Sequence, residues 1–81
     1  MPYMDLEETA LFEGGDRVEA ALRVVRGALR YRLRFGRPGA WRVQFDNQKG
    51  DRMTAGGRVA AYAFRSVEQL RYDFERAIED A

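Results

Sequence analysis

The sequence predicts an α+β domain: an antiparallel β-meander of four to five strands with one C-terminal helix packed on one face. Several stretches alternate apolar and polar residues with period two, which is typical of half-buried strands. Short glycine-containing segments separate these stretches, as they do in consecutive hairpins. After Ser66 the apolar residues recur at helical spacing instead.

The first hairpin is predicted at residues 13–16, because two adjacent glycines there separate two apolar runs. Residues 9–12 precede this turn as a strand, although the segment 4–12 also fits a short helix capped by Asp5. Residues 17–26 follow as the second strand, since small and apolar side chains alternate there with charged ones.

The clearest strand covers residues 29–35, where apolar side chains alternate with arginines. One face of this strand carries Leu29, Tyr31, Leu33 and Phe35, and the other carries Arg30, Arg32 and Arg34. A Pro-Gly turn follows at residues 36–39. Residues 41–45 then alternate again, which predicts that Trp41 is buried and that Arg42 joins the arginines.

The last third of the chain is predicted to contain a loop, a strand and the helix. Residues 46–58 are polar and glycine-rich, which indicates a surface loop, and residues 59–64 indicate a short strand. Ser66 is the predicted N-cap of the helix, with Gln69 completing a capping box. The apolar stripe of this helix consists of Val67, Leu70, Phe74, Ala77 and Ile78.

Composition limits the chemistry that is available. The chain has 81 residues, which predicts a single domain over 1–81, and it contains neither cysteine nor histidine. Disulfides, thiolate or imidazole metal sites and imidazole-based triads are therefore excluded, and we predict no catalytic residue, metal or cofactor. No apolar run is long enough for a membrane span, and the N-terminus does not resemble a signal peptide, so we expect a cytoplasmic protein.

Charge is distributed unevenly along the chain. Residues 1–16 carry a net −5, residues 17–65 a net +9 and residues 66–81 a net −3, and thirteen of the fourteen basic residues are arginine. The strand pattern places many of these arginines on the face of the sheet opposite the helix. We therefore expect this face to bind an acidic partner, and a solvated face is the alternative. The candidate partner-binding residues there are Arg23, Arg30, Arg32, Arg34 and Arg42.

The predicted loop at 46–58 supplies three more candidates, Lys49, Asp51 and Arg52, and it is longer than is usual in so small a domain. A flexible surface connection is the alternative for this segment. Stacking of nucleic-acid bases is disfavoured, because the aromatic residues near the arginines are predicted to point into the core.

Part of the chain resembles a known family. Residues 43–52 read VQFDNQKGDR, residues 61–70 read AYAFRSVEQL, and Asp73 and Phe74 follow. These segments resemble the TumE family of small toxin–antitoxin toxins, in which an Asp-Asn element precedes a Lys-Gly-Asp/His-His-Arg-His motif. In that family a Tyr-x-Phe strand and a Ser-Val-Glu-Gln-Leu helix start come next. The resemblance covers most of residues 10–80 and is strong only over residues 43–74.

The histidines of the TumE motif are missing here, because Arg52, Met53 and Thr54 follow Lys49, Gly50 and Asp51. The favoured interpretation is therefore a non-catalytic binding module of the mobile-element and defence type. It would act as a stoichiometric inhibitor by docking on a nucleic-acid-handling protein complex, as an anti-CRISPR protein does.

Two alternatives stay open. One is a TumE-like toxin that acts on RNA or nucleotides, and the other is a nucleic-acid binder that contacts phosphates only. We expect a monomer or a weak homodimer formed through an exposed sheet edge.

Overall fold

The computed structural model describes residues 5–80. They form one antiparallel sheet, in which every strand pairs with its neighbour in sequence, and one α-helix. The elements are β1 (Asp5–Leu11), β2 (Arg17–Val25), β3 (Ala28–Arg37), β4 (Ala40–Asp46), β5 (Arg52–Ala55), β6 (Arg58–Ala61) and α1 (Val67–Glu79). The α+β meander is confirmed, but the sheet has six strands instead of four to five.

The first segment and the predicted loop account for the difference in strands. Residues 5–11 form β1 and pair with β2, so the helical alternative is wrong for them, and residue 4 lies outside the described residues. The predicted loop at 46–58 contains β5, which pairs with β4 on one side and with β6 on the other. The turn between β5 and β6 consists of Gly56 and Gly57, both at positive φ, which suits a two-residue hairpin.

The face of the sheet that α1 covers holds the core, which consists of Leu22, Tyr31, Leu33, Phe35, Val43, Phe45, Leu70 and Phe74. We call this the inner face. Phe74 of α1 packs edge to face on Phe45, with ring centroids 5.9 Å apart, and thereby joins the helix to the middle of the sheet. Among residues 5–80, no helix is long and apolar enough to cross a membrane.

Ser66 begins α1 as predicted, since its Oγ accepts a hydrogen bond of 3.0 Å from the Gln69 backbone N–H. The full capping box is not formed, because the Gln69 side chain donates instead to the Asp73 carboxylate. Asp73 also accepts a hydrogen bond from the Tyr62 hydroxyl, which connects the helix to the segment after β6.

A β-bulge interrupts the pairing of β3 with β4 and changes which side chains share a face. Phe35 lies opposite Val43, but Gly36 lies opposite Trp41, so Arg42 is an extra residue in β4. Only glycine fits at position 36: its φ is +140°, and an added Cβ would lie 2.8 Å from the Arg42 nitrogen. The bulge moves Trp41 off the inner face, where regular alternation had placed it.

Candidate anion-binding surface

The face of the sheet opposite α1, which we call the outer face, is defined by the strand register. In one row across β2, β3 and β4, Arg34 lies between Glu19 and Gln44. In the next row, Arg32 lies between Ala21 and Asp46. The arginines that the register places on it are Arg17, Arg23, Arg30, Arg32, Arg34 and Arg52. Five of these arginines lie on the adjacent strands β2 and β3, and Arg52 lies on β5, beyond β4.

At one end of the outer face the positive charges are compensated. Arg34 donates to Glu19 through Nε at 2.8 Å, and its Nη2 lies 2.6 Å from the same carboxylate oxygen. Arg17 Nε approaches the other oxygen of Glu19 at 3.4 Å. The Arg34 hydrogen bond, aided by the nearby arginine charges, holds the pKa of Glu19 below its usual value.

The same end also carries an aromatic ring. The Arg34 guanidinium lies 4.3 Å from the centroid of the Trp41 ring, at cation–π distance. Trp41 is half-buried. We call this part of the outer face, formed by Arg17, Glu19, Arg34 and Trp41, the paired end.

The opposite end, which we call the open end, is formed by Arg30 and Arg32, with Arg23 beside them on β2. All three side chains are exposed, and Arg23 lies directly opposite Arg30 in the register. Arg30 Nη1 donates to the Asn47 carbonyl at 3.4 Å, which leaves most of its guanidinium donors available. Among the ion pairs found in residues 5–80, none joins Arg30 or Arg32 to a carboxylate.

A cleft of about 550 Å³ lies at the open end. We call it the arginine cleft; the residues that line it include Glu7, Ala21, Arg23, Arg30, Arg32 and Gln48. Ala21 lies opposite both Glu7 and Arg32 in the register, and its small side chain leaves space between them. A concave site with the exposed Arg30 and Arg32 side chains on it favours an anion that accepts several hydrogen bonds.

The Lys49, Asp51 and Arg52 candidates lie at a tightly held corner between β4 and β5. Asp51 accepts a hydrogen bond of 2.6 Å from the Tyr31 hydroxyl, and its carbonyl accepts one from the Tyr62 N–H. Burial, together with the bond to Asp51, raises the pKa of Tyr31 well above its usual value. Through this hydrogen bond the Asp51 carboxylate anchors the corner to Tyr31 of the core. The Lys49 side chain is exposed.

Asp46 and Asn47 hold the start of this corner. The Asn47 side chain forms hydrogen bonds to the backbone of β3, as a paired strand would. It accepts from the Tyr31 N–H and donates to the Leu29 carbonyl. Asp46 is buried to 3 % exposure and accepts from the Gln44 side chain and the Gln48 N–H. Residues 46–51 are therefore an ordered turn, so the flexible-loop interpretation does not describe them.

Arg52 is compensated at this corner. Its Nε lies 3.5 Å from an Asp46 carboxylate oxygen. Because Asp46 also lies opposite Arg32 in the register, a buried carboxylate separates the arginines of β3 from Arg52. Arg52 therefore adds less free positive charge to the outer face than its sequence position suggests.

The placement of Arg42 among the outer-face arginines is wrong. Because Arg42 is the extra residue of the bulge, its guanidinium lies 4.9 Å from the centroid of the buried Phe35 ring. Its Nη2 also lies 2.7 Å from Asp16, with which it forms an ion pair. Arg42 thus covers the end of the core, and Trp41 is the functional candidate that regular alternation concealed.

Of the remaining candidates, the structure brings Arg23, Arg30 and Arg32 together at one cleft and places Arg34 beside Trp41.

No group of histidine, cysteine, aspartate or glutamate residues within the described range 5–80 has an arrangement that could hold a metal ion. Comparisons with protein families, curated proteins and solved structures find no match to this chain.

Proposed function

We propose that this protein is a small non-catalytic binding module of the mobile-element and defence type. It acts as a stoichiometric inhibitor: its open end docks on an anionic surface of a nucleic-acid-handling complex and blocks that complex, as an anti-CRISPR protein does. The observation that carries the proposal is the exposed pair Arg30 and Arg32, which no carboxylate within residues 5–80 compensates by an ion pair.

The positions and contacts of these two side chains support a role outside folding. Arg30 and Arg32 are alternate residues of β3 and lie on the same face of the sheet. Within residues 5–80 the hydrogen bond found for the Arg30 side chain is a long one, 3.4 Å, to a backbone carbonyl. A partner that supplies anionic groups would form charge-assisted hydrogen bonds with both guanidinium groups.

Affinity capture from a nuclease-treated host lysate tests the proposal, comparing the wild-type chain with Arg30→Glu/Arg32→Glu. Arg58→Glu/Arg65→Glu is the matched control, since it makes the same change in charge at exposed positions away from the cleft. We expect the wild type and the control to capture one nucleic-acid-handling complex and to inhibit it at equimolar ratio. Equal capture and inhibition by Arg30→Glu/Arg32→Glu would contradict the proposal.

A TumE-like toxin is the second candidate, favoured by the position of the Lys49–Asp51 corner, whose Asn47 carbonyl contacts Arg30 of the cleft. Expression of the chain alone would then stop growth. Tyr31→Phe removes the 2.6 Å hydrogen bond and keeps the Asp51 carboxylate, whereas Asp51→Asn removes the carboxylate charge and keeps a side-chain oxygen that accepts from Tyr31. A toxin that depends on this carboxylate is relieved by Asp51→Asn and not by Tyr31→Phe, whereas normal growth at high wild-type expression excludes the toxin.

A further inference from the structure

The outer face combines two features that a single strand of nucleic acid requires, a flat π-surface and a row of phosphate-binding cations. We infer that the anionic partner of this face is single-stranded nucleic acid, with a base stacked on the Trp41–Arg34 pair and the following phosphates at Arg32 and Arg30. This inference rests on the proposed function, because it names the component of the complex that the outer face contacts.

The bulge supplies the stacking surface. With regular alternation every aromatic residue near the arginines would point into the core, and no base could reach one. The extra residue in β4 instead turns Trp41 to the outer face, beside Arg34. Glu19 fixes the guanidinium with a 2.8 Å hydrogen bond, and the guanidinium covers one face of the Trp41 ring, so a base would stack on the outward face of this pair. Bases stack on either kind of plane.

Strand geometry supplies the phosphate-binding row. Arg30, Arg32 and Arg34 are alternate residues of β3, so their attachment points are spaced at about 7 Å along one line. The phosphates of an extended single strand recur at a similar interval. A base at Trp41 would therefore be followed by one phosphate at Arg32 and another at Arg30, with the arginine cleft beside it.

The acidic groups on the face are compatible with this path. Glu19 is neutralised by Arg17 and Arg34, and Asp46 is buried beside Arg52. Glu7 lies at the rim of the cleft, across Ala21 from Arg32, and limits the path on the β1 side. An acidic polypeptide would be attracted to the same cations but would gain nothing from Trp41, so stacking separates the two kinds of partner.

Trp41 is the only tryptophan in the chain and reports directly on stacking. Its emission is followed while a single-stranded hexanucleotide, a duplex of equal length or poly-glutamate is added to the full chain. Only the single-stranded hexanucleotide should quench the emission by stacking. Since two phosphates are contacted, the log–log salt dependence of its affinity should have a slope of about −1.4.

Variants are compared by the anisotropy of a fluorescein-labelled hexanucleotide. Trp41→Leu should weaken binding about tenfold, because a stacking platform is lost, while Trp41→Phe should keep affinity within about threefold. Arg30→Glu/Arg32→Glu should weaken it more than tenfold, and the matched control Arg58→Glu/Arg65→Glu should have little effect.

The possible failures can be told apart. Wild-type binding of poly-glutamate with at least the affinity of the hexanucleotide, or equal affinities of Trp41→Leu and Trp41→Phe, would overturn the inference and leave the proposed function standing. If no anionic probe binds and the lysate capture is also unaffected by Arg30→Glu/Arg32→Glu, both the inference and the proposed function are wrong.

Discussion

The two ends of the outer face carry the same type of side chain in the same strand register, yet the side chains contact different groups. At the paired end, Arg34 is fixed between a carboxylate and an aromatic ring. At the open end, Arg32 is exposed, and the hydrogen bond found for the Arg30 side chain within residues 5–80 goes to a backbone carbonyl. The difference shows that the number of arginines on a face does not indicate how many are available to a partner. At the paired end, the position of Glu19 and the bulge in β4 determine which groups Arg34 contacts.

The arginines at the two ends are also expected to contribute differently to the free energy of unfolding. A half-buried arginine with a short hydrogen bond to a carboxylate contributes to stability, because both groups would lose their partner on unfolding. An exposed arginine beside other arginines contributes little or is slightly destabilising. Each of the following substitutions alters one end and leaves the other as its reference.

The largest effect is expected from Gly36→Ala, which breaks the bulge that forms the paired end. The new Cβ would lie 2.8 Å from the Arg42 nitrogen and 2.9 Å from the Ala40 carbonyl oxygen, at a φ of +140°. We expect the free energy of unfolding to fall by about 3 kcal/mol, measured by denaturant titration.

Gly50→Ala is the control that shows how much of this loss comes from the positive φ alone, without a steric clash of the new Cβ. Gly50 also has a positive φ, +93°, but an added Cβ would meet no atom within 4 Å. Its cost should be about 1–2 kcal/mol. Equal losses at the two glycines would mean that the close backbone approach at the bulge does not constrain residue 36.

A smaller effect, about 1.5 kcal/mol, is expected when Tyr31→Phe removes the hydrogen bond that anchors the corner beside the open end. The pKa of Tyr31 is raised above its usual value near 10. The resulting stability is present in full below about pH 10 and is lost as pH rises through the folded-state pKa. Alkaline unfolding curves should therefore be flatter for Tyr31→Phe than for the wild type, and parallel curves would contradict this account.

At the paired end, Glu19→Gln should lower the free energy of unfolding by about 1 kcal/mol at neutral pH, a modest value because the ion pair is about a quarter exposed. The pKa of Glu19 is lowered from 4.5, so its contribution is present above about pH 4.5 and is lost as pH falls through the folded-state pKa. The difference from wild type should therefore shrink as pH falls below about 4.5 in acid titrations. A difference that does not change with pH would show that packing, not charge, causes it.

The smallest effect is a gain. Arg26, in the turn that joins the two strands of the open end, has a φ of +51°, a conformation that asparagine adopts more readily than arginine. Arg26→Asn should raise the free energy of unfolding by about 0.5 kcal/mol. A loss of stability would indicate that the Arg26 side chain contributes a contact of its own.

Regular elements were predictable because their signals are local. Alternation along residues 29–35 predicts β3 and both of its faces, and Ser66 predicts the start of α1. Strand β5 was missed because Arg52 and Thr54 make it polar, although the paired glycines at 56–57 marked its hairpin.

The surface was less predictable, because it depends on contacts between strands. Nothing in the regular alternation of Trp41, Val43 and Phe45 reveals the bulge, and Gly36 within a strand is its only local trace. The pairing of Glu19 with Arg34 depends on the register of β2 against β3, which residue spacing alone does not fix.

The most direct test of the account compares two double variants that each remove two positive charges, Arg17→Gln/Arg34→Gln at the paired end and Arg30→Gln/Arg32→Gln at the open end. Their free energies of unfolding are measured against the wild type by denaturant titration at low salt. We predict a loss of about 1–2 kcal/mol for the first pair and a change within about 0.5 kcal/mol for the second. Equal losses for the two pairs, or a greater loss at the open end, would contradict the conclusion that Arg30 and Arg32 contribute little to the stability of the fold.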